Sequence, residues 1–247
     1  MAFSVNFKDD IIYYSADKLT AQPGVKHAFT TRFGGVSEGG CASLNLSFKR
    51  EPSAENVREN FRRVAKAMEI DYYSIVCAGQ VHGSRVGLVT SEHAGSGVTK
   101  PMLFDGYDAL ITKEQELPIC TIHADCIPVL YYDPDHRAIG SAHSGWRGTK
   151  DGIAGQVVSE MQRVFGSAPT RLQVVIGPGI CRSCFTVGEE VAAAFREAYG
   201  ISREQEQVLY PSPSQAGKWQ IDLKSFVYRS LSEAGVPSEN IDVAEAC

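Results

Sequence analysis

The sequence predicts one α/β domain over residues 1–247, layered on a mixed β-sheet, and three observations carry that prediction. Four segments repeat apolar residues at helical spacing, several runs are rich in β-branched and aromatic residues, and the two kinds do not alternate regularly. Regular alternation would mark a doubly wound parallel sheet, so its absence points to mixed strand directions. No repeat, linker or low-complexity stretch divides the sequence.

Taken in order, VNFKDDIIYYS and GVKHAFTTR read as strands. Residues 32–47, RFGGVSEGGCASLNLS, hold too many glycines and serines for a regular element. Their apolar anchors Val36, Leu44 and Leu46 suit an ordered, functional loop. After Pro52, the residues Val57, Phe61, Val64 and Met68 build one helical stripe. Residues 74–90 read as one strand, YDALIT as a short one, and Leu117 to Asp133 as a long one. A turn at Pro134-Asp135 then returns the chain as AIGSAHSG. Helices are expected at 151–165, 188–199 and 222–234, stopped by Gly166, Gly200 and Gly235, with Asp222 as an N-cap. Between them RLQVVIGPG is a buried-type strand.

Apolar residues make up 43% and charged residues 21% of the chain, a globular balance that argues against disorder. The net charge of −5, without a basic block, argues against a nucleic-acid partner. No apolar run approaches the roughly 20 residues of a membrane span, and the N-terminus does not read as a signal peptide. The seven cysteines therefore read as reduced thiols of a cytoplasmic protein. Cys181 and Cys184 form an isolated CxxC, read as a tight turn after Gly177-Pro178-Gly179.

Chemistry is expected where polar and glycine residues end the strands. A two-residue loop at Pro134-Asp135 would set Cys126 directly across from His143, with Cβ atoms roughly 4.5–5.5 Å apart. One cation bridges such a pair, although a bulged turn would separate the two. His82, in Gln80-Val81-His82-Gly83, shows the same mixture of strand and glycine. By residue type alone the three are metal ligands, a Cys–His nucleophile pair, or unrelated core residues. HExxH, paired CxxC and the usual zinc-deaminase spacings are all missing.

The segments TTRFGGVSEGGCASLNLS, GQVHGSRV, DALIT, ADCIPVLYYD, AHSGWRGT and IGPGI…CFTVGEEV, in that order, resemble the YlmD/YfiH family, bacterial relatives of mammalian laccase domain-containing protein 1. The resemblance implies a layered α/β fold similar to toxin deamidases. It also implies phosphorolysis of adenosine, inosine and methylthioadenosine, and deamination of adenosine. An older label for the family is copper-dependent polyphenol oxidase or laccase. It implies a metal on the His of QVHG, the Cys of ADC and the His of AHSGWRG, here His82, Cys126 and His143. Two departures stand out. Phe185-Thr186-Val187 replaces the family's Tyr-Glu-Val, losing a carboxylate. The sequence ends at Cys247, where relatives run on with an aromatic- and arginine-bearing segment that closes the nucleoside site.

Three protein ligands and one open position describe a catalytic zinc, which activates water near neutral pH for attack on C6 of adenosine. Asp125 is the first candidate for moving protons to the purine and Asp108 the second. Arg32 and Arg147 are expected to hold phosphate, aided by the start of a helix near Asp151. Asn45 and Gln80 are expected to bond ribose hydroxyls or a purine edge. Zinc suits a thiolate with two imidazoles, and copper competes for such sites. The rival readings are a metal-free cysteine hydrolase or deamidase using Cys126 and His143, a copper polyphenol oxidase, and a non-catalytic zinc-binding protein. One His-Cys-His site does not supply the several coppers that oxygen reduction ordinarily demands.

Overall fold

Two antiparallel runs that are almost wholly buried form the middle of the sheet on which the molecule is built. The computed structural model describes residues 2–201 and 208–247. We number the strands of this sheet β1 (Val86–Leu88), β2 (Ala109–Thr112), β3 (Ile127–Asp133), β4 (Ala138–Ser144), β5 (Gln173–Ile176) and β6 (Ile241–Val243). Their order is β6-β5-β3-β4-β2-β1, with the outer pairs β5/β6 and β1/β2 parallel and the inner pairs antiparallel. The mixed α/β sheet expected from the sequence is present.

Side chains alternate across this sheet, and both faces are covered. Ile111, Val129, Tyr131, Val174 and Ile176 pack on one side against helices α3 (Ile153–Phe165) and α5 (Leu223–Glu233). On the other side Tyr132 and Val175 meet Ala16, Leu19 and Phe29, and Leu110 meets Val76, Val89 and Phe104. Three further helices are α1 (Ala54–Met68), α2 (Trp146–Lys150) and α4 (Glu189–Tyr199). Helix α1 is capped by the Ser53 hydroxyl, which accepts from the Asn56 amide, and α5 by Asp222, which accepts from Ser225. Gly166 and Gly200 close α3 and α4 in the left-handed conformation that favours glycine. Among the described residues no helix is long and apolar enough to cross a membrane.

Five expectations are corrected. The first segment is a hairpin, Phe3–Lys8 against Ile11–Ala16, because Asp9 and Asp10 adopt φ of 48° and 67°, as a type I′ turn requires. Residues 74–90 form two short strands, Val76–Cys77 and β1, with the QVHG loop between them. The long strand 117–133 is also broken, into Ile119–Cys120 and β3. Here Gln80 takes both backbone groups of Ile122, donating to its carbonyl and accepting from its amide at 2.7 Å each. The turn after β3 has four residues, not two, since Asp133 Oδ1 accepts from the amides of Asp135 and His136 and Arg137 adopts φ of 53°. Finally, the helix expected from residue 151 starts at Ile153. Gly152 at φ 74° separates it from α2, so no long helix begins beside Arg147.

The turn correction changes the register but keeps the geometry. His143 pairs with Pro128 rather than with Cys126. A slip of two residues leaves each side chain on its original face, so Cys126 still lies on the His143 side of the sheet.

Candidate metal centre

Four chain segments meet at one end of the sheet. Strands β1 and β2 are parallel and both begin there, β3 begins there, and antiparallel β4 ends there. The residues at these ends are the QVHG loop before β1, Asp108 just before β2, Cys126 just before β3, and His143 near the end of β4. Topology thus gathers residues that lie far apart in sequence.

The ligand atoms of His82, Cys126 and His143 all lie within 4.8 Å of one another, close enough to hold one metal ion. The imidazoles meet edge to face, with ring centroids 4.7 Å apart. Burial is graded from His143, at 3% exposure, through half-buried Cys126 to exposed His82, so the group opens to solvent on the His82 side. A Cβ built on Gly145 would stand 2.7 Å from His82 Cδ2 and 3.3 Å from Cys126 Sγ. Only glycine leaves the three ligands room to converge.

Behind the ligands, fully buried Asp108 engages both carboxylate oxygens. Oδ1 accepts from the His82 amide at 2.9 Å and faces His143 Nδ1 at 2.8 Å, while Oδ2 accepts from the Val81 and Gly83 amides at 3.1 and 2.8 Å. Burial alone would raise its pKa. The bonds from His143 and from the amides of Gly83 and Val81 outweigh burial and hold the carboxyl below its usual range. As a carboxylate it can only accept, so His143 Nδ1 carries the proton and Nε2 keeps a free lone pair. The same bonds bend the QVHG loop out of strand geometry, with His82 at φ 64°.

The remaining electrostatics disfavour a protonated His82 and a bare Cys126 thiolate. Burial first, then His143, lowers the pKa of His82, and the charges of Arg147 and Lys49 press the same way. Burial and the carboxylates of Asp125 and Asp108 raise that of Cys126. A cysteine nucleophile needs the opposite shift. A neutral His82 imidazole keeps the lone pair that a cation would take.

The other predicted site residues fall in two places. Asp125 and Arg147 are exposed beside the ligands, and the Arg147 guanidinium lies 4.3 Å from the Trp146 ring centroid. Gln80 belongs to the ligand loop, but its side chain holds Ile122. Arg32 and Asn45 belong to the glycine loop, where Arg32 donates to the Ala42 carbonyl and Asn45 Oδ1 accepts from the Ser47 amide. Lys49 links that loop to the centre by donating to the Gln80 carbonyl at 3.2 Å.

Two residues escaped the sequence reading. The His123 ring lies 5.1 Å from that of His143, its pKa pushed down to about 3 by burial first and by His143 second, so it stays neutral. Asn60, fully buried on α1, holds the glycine loop by accepting from the Val36 amide at 2.8 Å and donating to the Asn45 carbonyl at 2.8 Å and to Ser37 Oγ at 3.0 Å. Its signal was a polar side chain three residues after Val57, on the helix's apolar face.

Comparison with known proteins places the sequence and the fold. Residues 26–247 match the family model described as multi-copper polyphenol oxidoreductase laccase. Purine nucleoside phosphorylase YlmD of Geobacillus stearothermophilus is 34% identical over 225 residues, covering 91% of this chain and 81% of that protein. Adenosine deaminase RL5, from an unknown prokaryotic organism, is 32% identical over 225 residues, covering 91% of this chain and 84% of that protein. The crystal structure of YlmD from Geobacillus stearothermophilus superposes with a TM-score of 0.87 at 31% identity, covering 100% of this chain and 88% of that one. On both its sequence and its fold, the chain belongs to the laccase-like family that includes YlmD.

Proposed function

We propose that this chain is a cytoplasmic, zinc-dependent enzyme of purine nucleosides, cleaving adenosine, inosine and methylthioadenosine with phosphate and deaminating adenosine. The observation that carries the reading is the convergence of His82, Cys126 and His143 in front of Asp108, in a chain whose relatives are named for these two activities. Two imidazoles and one thiolate are the donor set of zinc, with copper a competitor. When bound there, zinc supplies Lewis acidity and activates water near neutral pH.

The chain's own residues divide the remaining work. Asp108, with both oxygens engaged, positions the ligands by fixing the tautomer of His143 and the backbone of His82. Proton transfer falls to Asp125, exposed beside Cys126 and free to reach a substrate nitrogen. Arg147, stacked on Trp146, supplies positive charge for phosphate next to His82, with Lys49 reinforcing it. Arg32 and Asn45 serve from the glycine loop, Arg32 toward phosphate and Asn45 toward the ribose. Gln80 acts by holding the ligand loop against Ile122, and its remaining amide hydrogen is available to a hydroxyl.

The raised pKa of Cys126 counts against the cysteine-hydrolase reading, and a single His-Cys-His group counts against polyphenol oxidation. Chromatography of adenosine after incubation with zinc-loaded protein, with and without phosphate, tests the proposal. Adenine formed only with phosphate marks a phosphorylase, and inosine formed without it marks a deaminase. Adenosine intact under both conditions overturns the reading.

A further inference from the structure

A second group of thiols gathers where the sheet's far edge ends. Strands β5 and β6 are parallel neighbours, with Ile176 beside Val243, so the chain leaves both from the same end. The segment after β5 turns at Gly177-Pro178-Gly179 into Cys181-Arg182-Ser183-Cys184, and the segment after β6 leads to Cys247. The two segments stay joined by the Gly179 amide, which donates to the Ala246 carbonyl at 3.4 Å, and by the Cys181 amide, 3.3 Å from Cys247 Sγ. The sulfurs of Cys181, Cys184 and Cys247 all lie within 4.8 Å of one another, and none is in a disulfide.

We propose that Cys181, Cys184 and Cys247 form a second metal site, binding a soft divalent cation of the zinc type through three thiolates. Three features point to a cation. The Cys-x-x-Cys turn presents two sulfurs from one tight turn, with the Cys184 and Phe185 amides both donating to the Cys181 carbonyl. This is the spacing with which zinc sites take two ligands from one loop. The third sulfur arrives from a different strand, which a two-cysteine redox pair does not need but a coordination sphere does. The surroundings also offer Cys181 a hydroxyl partner, with Ser183 Oγ 3.2 Å from its Sγ. Lys224, whose ammonium donates to the Ala244 and Ala246 carbonyls at 2.7 Å each, adds positive charge beside the group.

On binding, each thiol gives its proton to solvent, and the cation takes up three sulfur lone pairs without redox change. The thiols are exposed or nearly so, which leaves the fourth corner of the tetrahedron to water. Bound this way, the cation clamps the segment after β5 to the segment after β6. The first of these also touches the His82 centre, since the Ile180 amide donates to the Asp125 carbonyl at 2.7 Å.

The test is metal stoichiometry on reduced, chelator-stripped protein reloaded with Zn2+ and passed through a desalting column. The unaltered protein is expected to retain two zinc ions per chain, Cys126→Ala one, and Cys181→Ser/Cys184→Ser one. Co2+ added to Cys126→Ala is expected to give intense thiolate-to-cobalt absorption at one equivalent, which the three-cysteine combination loses. Equal zinc retention with and without Cys181 and Cys184 overturns the proposal. So does a Cys126→Ala protein that stays colourless with Co2+ while its three surface thiols titrate as reduced. Should the serine variant not fold, the cobalt spectrum of Cys126→Ala decides alone.

Discussion

His143 Nδ1 lies 2.8 Å from Oδ1 of Asp108, a carboxylate with no exposed surface. That contact fixes which imidazole nitrogen faces the other ligands. It also ties the end of β4 to the start of β2, where the His143 amide donates to the Asp108 carbonyl at 2.7 Å. Asp108→Asn keeps the size but loses the charge and the strict acceptor character. It is expected to weaken zinc binding 10- to 100-fold, as losses of such carboxylate partners do. Competition against a chromophoric chelator measures the change, and an unaltered affinity would remove Asp108 from the positioning role.

Cys126→Ala takes away the sulfur while leaving a small residue at a half-buried position. Zinc at the centre and nucleoside turnover are expected to fall together, with the protein remaining soluble. Elemental analysis beside an adenosine assay reads both. Full occupancy of the centre in this variant would exclude Cys126 from the ligand set.

Gly145→Ala probes the same ligands sterically. The added methyl meets His82 Cδ2 at 2.7 Å, so His82 must swing outward. Zinc is expected to dissociate at least tenfold faster. Exchange with excess chelator follows the rate.

Asn60→Leu removes the side chain that joins α1 to the glycine loop. The amide of Val36 and the carbonyl of Asn45 lose their partner at a fully buried position. A loss of about 2–3 kcal/mol is expected from such orphaned groups. Urea denaturation measures it. If the glycine loop binds substrate as proposed, KM rises more than kcat falls.

His27 sets an acid limit on stability. Burial lowers its pKa to about 4, and its neutral Nε2 accepts from the Ala16 amide at 2.8 Å. The unfolded chain binds this proton near the ordinary value of about 6.5. Stability from neutral His27 is therefore complete above pH 6.5 and is lost as the pH falls towards 4, by roughly 3 kcal/mol. His27→Gln, which can still accept from Ala16, is expected to flatten this part of the denaturation profile between pH 7 and pH 5.

The sequence displayed what depends on spacing along one element. The stripe Val57-Phe61, the cap Asp222 and the stop Gly166 each act within a turn or two of helix, and each lies where its local pattern put it. What depends on side chains bonding to distant backbone was not legible. Asp108 takes three amides of the QVHG loop and Gln80 takes both groups of Ile122, and these bonds break two strands that read as continuous. Asp133 did the same to the β3–β4 turn, where an even-numbered slip preserved the face of Cys126.

The centre joins the ends of β1, β2, β3 and β4, so His82 and His143 meet only after the middle of the sheet has assembled. Long-range contacts of this kind form late in folding, because long loops must close first. A ligand that captures them should leave the refolding rate nearly unchanged and act on the reverse reaction. Zinc would then serve as a latch on the native state, lengthening its lifetime against unfolding and proteolysis rather than hastening its formation.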